Sequence, residues 1–279
     1  MTLGVLIGLG VLGAVLRGDG PLGDHIAHVE IYGTIFDDPA RADMLRALAE
    51  DETAKALIVE ISSPGGTTVG AEALYENLRD IGKDRPVVAV MREVAASGGY
   101  ITAIAADHIV ARGNTLTGSI GVIMEYPDVT ELMDRIGVEM RTVRSSELKA
   151  EPSPFRAPSP GALAVQRALI DDSQAWFRGL VAERRGLDGE ALERVTQGTV
   201  FTGRLALDAG LIDALGAQDE ALNWLESVDE TLTGLEVFTW EPVQPEPSFL
   251  QYITGNSLFS GFFTKTPRPT DPRLMSILK

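Results

Sequence analysis

The sequence predicts an α/β fold with a largely parallel sheet and flanking helices, and three observations carry that expectation. Residues 55–61 (KALIVEI) and 86–91 (PVVAVM) are near-continuous apolar runs, the mark of strands buried on both faces. Each run ends in a glycine-containing turn, SPGG at 63–66 and ASGGY at 96–100, that leads into a helical stretch. Strand and helix patterns then alternate along most of the 279 residues, and a 44% hydrophobic content is enough for a large core.

Element by element, a polar joint near residues 17–24 leads to a strand at 25–31 that stops at the turn Tyr32-Gly33-Thr34. Residues 39–50 read as a helix, 55–61 as a strand, and a helix follows the first glycine turn as far as Ile81. The strand at 86–91 is followed by the second glycine turn and an alanine-rich helix to about Ala106. Short strands are expected at 108–111, 121–124 and 138–143, with a helix over 128–136 between the last two. Proline and serine at 151–160 (EPSPFRAPSP) predict an extended loop. Beyond it, 161–186 reads as a long helix with Trp176 and Phe177 on its apolar side, and shorter helices follow near 189–195, 203–209 and 218–227.

The domain organisation expected is an apolar segment at 1–18, a body over 24–228 and a tail over 229–279. Residues 1–16 carry no charge but are short for a membrane span. They suit a marginal or truncated anchor, an uncleaved export signal, or a helix packed on the body. In the tail, Phe249, Tyr252, Ile253, Phe259, Phe262 and Phe263 would form one face of an interrupted helix, packed on the body or on a neighbouring subunit, with membrane contact as the alternative.

Composition removes several functions. A net charge of −16 leaves no basic face for nucleic acid. The absence of cysteine removes disulfides, thiolate nucleophiles and zinc–thiolate sites. Only His25, His28 and His108 could serve as a histidine base, and His108 opens an apolar strand, which suits a structural role. The sequence has no nucleophile elbow of the G-x-S-x-G type, no P-loop and no G-x-G-x-x-G.

What remains is Ser97, at a strand-to-helix turn where its Oγ and the free N–H groups of the helix start face the same space. Gly65 and Gly66 end the neighbouring strand, so backbone N–H groups from both turns could converge on one oxyanion. Either glycine turn could equally be a tight loop. A serine without histidine needs another base, and a desolvated lysine is the known alternative. Of the five lysines, only Lys149 follows a strand and precedes a loop able to cover a cleft. A solvated loop lysine is the competing reading.

Five segments together resemble the signal peptide peptidase A (protease IV) family, serine peptidase family S49. They are SPGG at 63–66, ASGGY at 96–100, TGSIGV at 117–122, LKAEPSPF at 148–155 and FTGRLALDAGLID at 201–213. The resemblance implies a ClpP/crotonase-like fold and a Ser/Lys dyad with Ser97 as nucleophile and Lys149 as general base. It further implies Ser119 as the residue orienting the lysine, Gly66 and Gly98 as oxyanion-hole positions with Gly65 adjoining, and no cofactor. Peptide substrates such as remnant signal peptides would be cut. A homo-oligomeric ring is implied, with serine and lysine contributed by neighbouring subunits, as is a catalytic body on the extracytoplasmic side of a bacterial inner membrane. A crotonase-like acyl-CoA enzyme and a non-catalytic ring scaffold at the membrane are the alternatives.

Overall fold

The computed structural model describes residues 23–242. Within them the chain runs β1 (His25–Tyr32), α1 (Pro39–Glu50), β2 (Ala54–Ser63), α2 (Thr68–Ile81), β3 (Val87–Ala96), α3 (Gly98–Ala103), β4 (His108–Ala111) and β5 (Leu116–Gly118). It continues through α4 (Thr130–Ile136), α5 (Pro160–Arg185), α6 (Gly189–Val195), β6 (Val200–Thr202), α7 (Gly203–Asp208), β7 (Ala214–Leu215), α8 (Gln218–Val228) and β8 (Glu236–Thr239). The strands form one eight-stranded sheet in the order β6-β5-β3-β2-β1-β8, with β4 also on β3 and β7 on β4. Every pairing is parallel except β5 with β6.

Residue parity along β1, β2 and β3 explains why this sheet is sandwiched. Alternate side chains point to opposite faces, and here both sets are apolar. Ala27, Val29, Ile31, Leu57, Val59, Ile61, Ala89 and Met91 join one core with α1, α2 and α5. Ile26, Ala56, Ile58, Val88 and Val90 join a second core closed by Ala221 and Leu225 of α8. Each fully buried aliphatic side chain contributes roughly 1.5–3 kcal/mol. Caps start the helices at defined residues. Asp38 precedes Pro39 at α1, Thr67 Oγ1 accepts from Gly70 N at α2, and Ser159 Oγ accepts from Ala162 N just after Pro160 at α5.

β3 forks. Val88–Met91 pairs with β4, whereas Val94–Ala96 pairs with β5, and the exposed pair Arg92-Glu93 lies between. The fork sends the last residues of β3, and Ser97 behind them, toward the side of the sheet where α2 and α5 pack.

Several expectations need correction. Residues 121–124 and 138–143 form no strand, and none of residues 121–161 is buried. The sheet is completed instead by β5, β6 and β8, three- and four-residue strands too short for the apolar pattern to reveal. The body also runs past the expected boundary at 228, because β8 pairs with β1. Segment 1–18 and the aromatic cluster from Phe249 to Phe263 lie outside the described residues. Among the described residues no helix is long and apolar enough to cross a membrane.

Candidate active site

Ser97 stands between the last residue of β3 and the first of α3, with φ 53° and ψ −120°. The left-handed region is costly for a residue with a Cβ, by about 1–3 kcal/mol, and persists only where the surroundings impose it. Here they do. Ser97 N donates to Gly118 O at 2.9 Å, its carbonyl accepts from Tyr100 N and Ile101 N, and all of α3 is buried. Tyr100 pins that helix from below by donating its hydroxyl to Leu211 O at 2.8 Å. Ser97 Oγ caps no helix N–H and lines a cleft of about 350 Å³.

The first glycine turn lies directly against this serine. Gly65 has φ 107°, and a Cβ placed there would sit 2.8 Å from Gly98 N and 3.0 Å from Ser97 Cβ. A Cβ on Gly66 would collide with Ile35 O at 1.8 Å. Only glycine lets the two turns close on each other. The closure puts Gly66 N about one Cβ contact from Gly98: a Cβ on Gly98 would lie 3.3 Å from it. Gly98 N is one of the unpaired donors of a helix start. The backbone hydrogen bonds of the turn run from Ile35 N to Gly65 O and from Thr67 N to Ile35 O, so Gly66 N keeps its proton free for the cleft, which Gly66, Ser97 and Gly98 all line.

The rest of the cleft is mostly apolar. Ile101, Val122, Ile123, Met124, Leu169, Ile170, Trp176 and Phe177 line it, with hydroxyls from Thr67, Thr68 and Ser173. Trp176 and Phe177 lie on the apolar side of α5 as expected: Phe177 is buried, Trp176 is partly buried against the same core, and both also form cleft wall. Met124 falls in the strand expected at 121–124, and Leu169 and Ile170 in the long helix; nothing in apolar spacing separates a core wall from a pocket wall.

The other two residues are placed differently. Ser119 adjoins Gly118, sits half-buried at φ 49° and donates its N–H to Thr199 O at 2.8 Å, without lining the cleft. Lys149 is exposed on the segment 121–161, and it does not line the cleft either. Within one chain the structure therefore brings together Ser97, Gly65, Gly66 and Gly98 but leaves Lys149 apart. Even so, the non-glycine residues with positive φ among those described are Ser97, Ser119 and Ala150, the last beside Lys149. Backbone strain thus gathers at or next to each of the three side chains singled out from sequence.

Metal-type ligands converge at one place among the described residues. His28, Glu30 and Glu60 offer ligand atoms within 4.8 Å of one another on the sheet face away from the cleft. Glu60 is already occupied there: Arg92 Nη1 donates to Oε2 at 3.1 Å, and Tyr32 donates its hydroxyl to Oε1. Burial and that carboxylate push the Tyr32 hydroxyl well above its ordinary range. The donor set is that of an internal ion-pair network. His108, expected to be structural, stacks on Trp224 with ring centroids 4.8 Å apart.

Comparison with known proteins bears on the family and the fold. The model of "Peptidase family S49" matches residues 79–232, a stretch that contains Ser97, Gly98, Ser119 and Lys149. A candidate protease of Synechocystis, slr0021, is 37% identical over 213 residues, covering 76% of this chain and 75% of the relative. Protease 4 of Haemophilus influenzae is 34% identical, and the chloroplastic serine protease SPPA of Arabidopsis thaliana 32%. These matches cover 73% and 87% of this chain, but the chain spans only 34% and 36% of those two longer proteins. Among solved structures, a membrane-bound stomatin-specific protease shares the fold, with a TM-score of 0.51 at 19% identity, covering 80% of this chain and all of that one.

Proposed function

The chain belongs to peptidase family S49 and is a serine peptidase; on that premise we propose that Ser97 and Lys149 form its catalytic dyad, with the two residues of each site supplied by different copies of the chain. One observation carries this reading. The cleft holds a strained serine beside two free backbone donors, while Lys149, on the exposed segment 121–161, does not line the cleft of its own chain. That segment also exposes Ile123, Leu132, Ile136, Met140 and Val143 to solvent, which a neighbouring copy in a ring would cover.

The chemistry is acyl transfer. Neutral Lys149 takes the proton of Ser97 Oγ as that oxygen attacks a peptide carbonyl. Gly66 N and Gly98 N donate to the developing oxyanion, each worth about 3–4 kcal/mol in sites of this kind. The lysine then protonates the leaving amine, and water hydrolyses the acyl-enzyme. Ser119 would orient the lysine once the subunits meet. The apolar walls suit leucine- and alanine-rich peptides such as remnant signal peptides. Among the described residues no carboxylate lines the cleft, which argues against acyl-CoA chemistry of the crotonase type. A catalytic body outside a bacterial inner membrane, anchored through residues 1–18, completes the reading.

The test is subunit mixing. Ser97→Ala and Lys149→Ala should each abolish cleavage of an apolar peptide. When the two variants are co-assembled, random pairing restores about a quarter of wild-type activity if the site spans two copies. A mixture that stays inactive rejects the shared site, and single variants that stay active reject the dyad itself.

A further inference from the structure

We propose that Glu151 is a positioning residue for Lys149, acting through Arg144 and Arg156 to hold the turn that presents the lysine. The inference rests on the dyad reading above and deepens it.

Glu151 is an anomaly on its segment. No residue from 121 to 161 is buried as a whole, yet the Glu151 side chain is only 4% exposed. Two guanidiniums meet one of its oxygens. Arg156 donates through Nε at 2.7 Å and through Nη2, and Arg144 donates through Nη1, all three to Oε1. Burial opposes ionisation of this carboxyl, but the bonds from Arg156 and Arg144 outweigh it and hold the group below the ordinary carboxylate range. It is therefore an anion at any pH where a neutral lysine could work.

The clamp reaches the lysine through the main chain. The Arg144 nitrogen that meets Glu151 also donates to Glu147 O at 2.7 Å and to Lys149 O at 3.4 Å. Two turns close over the same stretch, Lys149 N to Ser146 O and Glu151 N to Leu148 O, each at 3.3 Å. Ala150, between lysine and glutamate, is held at φ 61°, a conformation that alanine does not keep unless its neighbours over-determine it. Arg144 bridges the residues on either side of it, meeting Lys149 O and the Glu151 carboxylate, and supplies the constraint. Lys149 thus leaves a backbone fixed on both sides, although the residue itself is exposed among the described residues. An arrangement of this kind lowers the freedom lost when the lysine docks beside a serine, and misplacing a catalytic group by about 1 Å can cost about 100-fold in rate.

Steady-state cleavage of an apolar peptide by the full-length assembled protein tests this. Glu151→Ala should lower kcat by about 100-fold with KM within about twofold, because the cleft that binds substrate lies elsewhere. Glu151→Gln keeps an acceptor for both arginines and should recover about tenfold of that loss. Arg144→Ala should match Glu151→Ala, and the double variant should be no worse than either, as expected of residues acting as a unit. Unfolding temperature and assembled mass should stay at wild-type values throughout. The proposal is overturned if Glu151→Ala retains kcat within a few-fold, if KM rises in step, if Gln fails to rescue, or if the loss follows loss of assembly. Full activity in Lys149→Ala would instead sink the dyad. An inactive Lys149→Ala beside an active Glu151→Ala sinks only the positioning role.

Discussion

The two halves of the proposed site are built by opposite means. Ser97 is embedded: Ala95, Ala96, Gly98, Gly99 and Tyr100 around it are all buried, and its strained backbone is imposed by a packed sheet and helix. Lys149 belongs to a run of residues, 121–161, with no buried member, where local order comes from arginine–carboxylate bonds and turns. A core can hold a nucleophile and an oxyanion hole rigidly, since packed interiors deform little. An exposed arm can reach across to another molecule, at the cost of relying on polar contacts that water competes for. Splitting a dyad between the two makes the chemistry conditional on contact.

Variants can break or sharpen this contrast. The largest effect is expected in the body, from Gly65→Ala. Its methyl would push on Gly98 N and Ser97 Cβ at a φ that alanine resists. Activity should fall by about 100- to 1,000-fold, the value of a lost oxyanion donor, and the unfolding temperature should fall with it. A variant that loses neither would show that the glycine turns do not shape the site.

On the arm the two readouts should separate. Ile136→Glu and Val143→Glu replace exposed apolar side chains, so stability should move by less than about 0.5 kcal/mol. Assembled mass, measured by light scattering, and peptide cleavage should both drop. If either substitution instead melts the protein, the arm packs on its own chain and the contrast fails.

Arg92→Ala probes the far face of the sheet. It strips the buried Glu60 of its cationic partner, which costs about 1–3 kcal/mol for an unsatisfied buried group. The lower end is expected because Arg92 is itself nearly half exposed. Chemical denaturation would read this loss, while cleavage should be unchanged.

The smallest effect is one of pH. Burial holds the His108 imidazole below its ordinary value of 6.5, against the opposing pull of Asp213 and Glu220. The unfolded chain then binds a proton near 6.5 that the folded chain still refuses. Stability is full above that pH and declines as the pH falls through it. Urea titrations at pH 7.5 and 5.5 should show this slope in the wild type and a flatter one in His108→Phe.

How far all this was legible in the sequence differs between the two regions for the same physical reason. In the body, burial on both faces writes itself as uninterrupted apolar runs, so β1 to β4, the first two helices and the Ser97 turn could be read off. The convergence of SPGG with ASGGY followed from parallel neighbours ending at one edge. On the arm the same reading misfired. GVIM at 121–124 and VEMRTV at 138–143 have the apolar and β-branched residues of strands, but here they lie on the surface or on the cleft wall. Apolarity reports that a residue wants cover and not which molecule provides it. The short strands β5, β6 and β8 escaped because three or four residues carry too little pattern. Lys149 was reachable only by elimination and resemblance, since a working lysine and a solvated one look alike in sequence.

The pairing of β1 with β8 bears on how the chain is made. His25 meets Glu236 and His28 meets Thr239, so the first described strand waits for the last described one before its first half is covered on that side. Until then β1 is an open edge of apolar residues, able to recruit any extended segment nearby. A chain stopped at Val228 would keep that edge for good. The four residues of β8 are too few to add much stability, yet they occupy the edge of β1 at His25–His28, where another extended segment could otherwise pair.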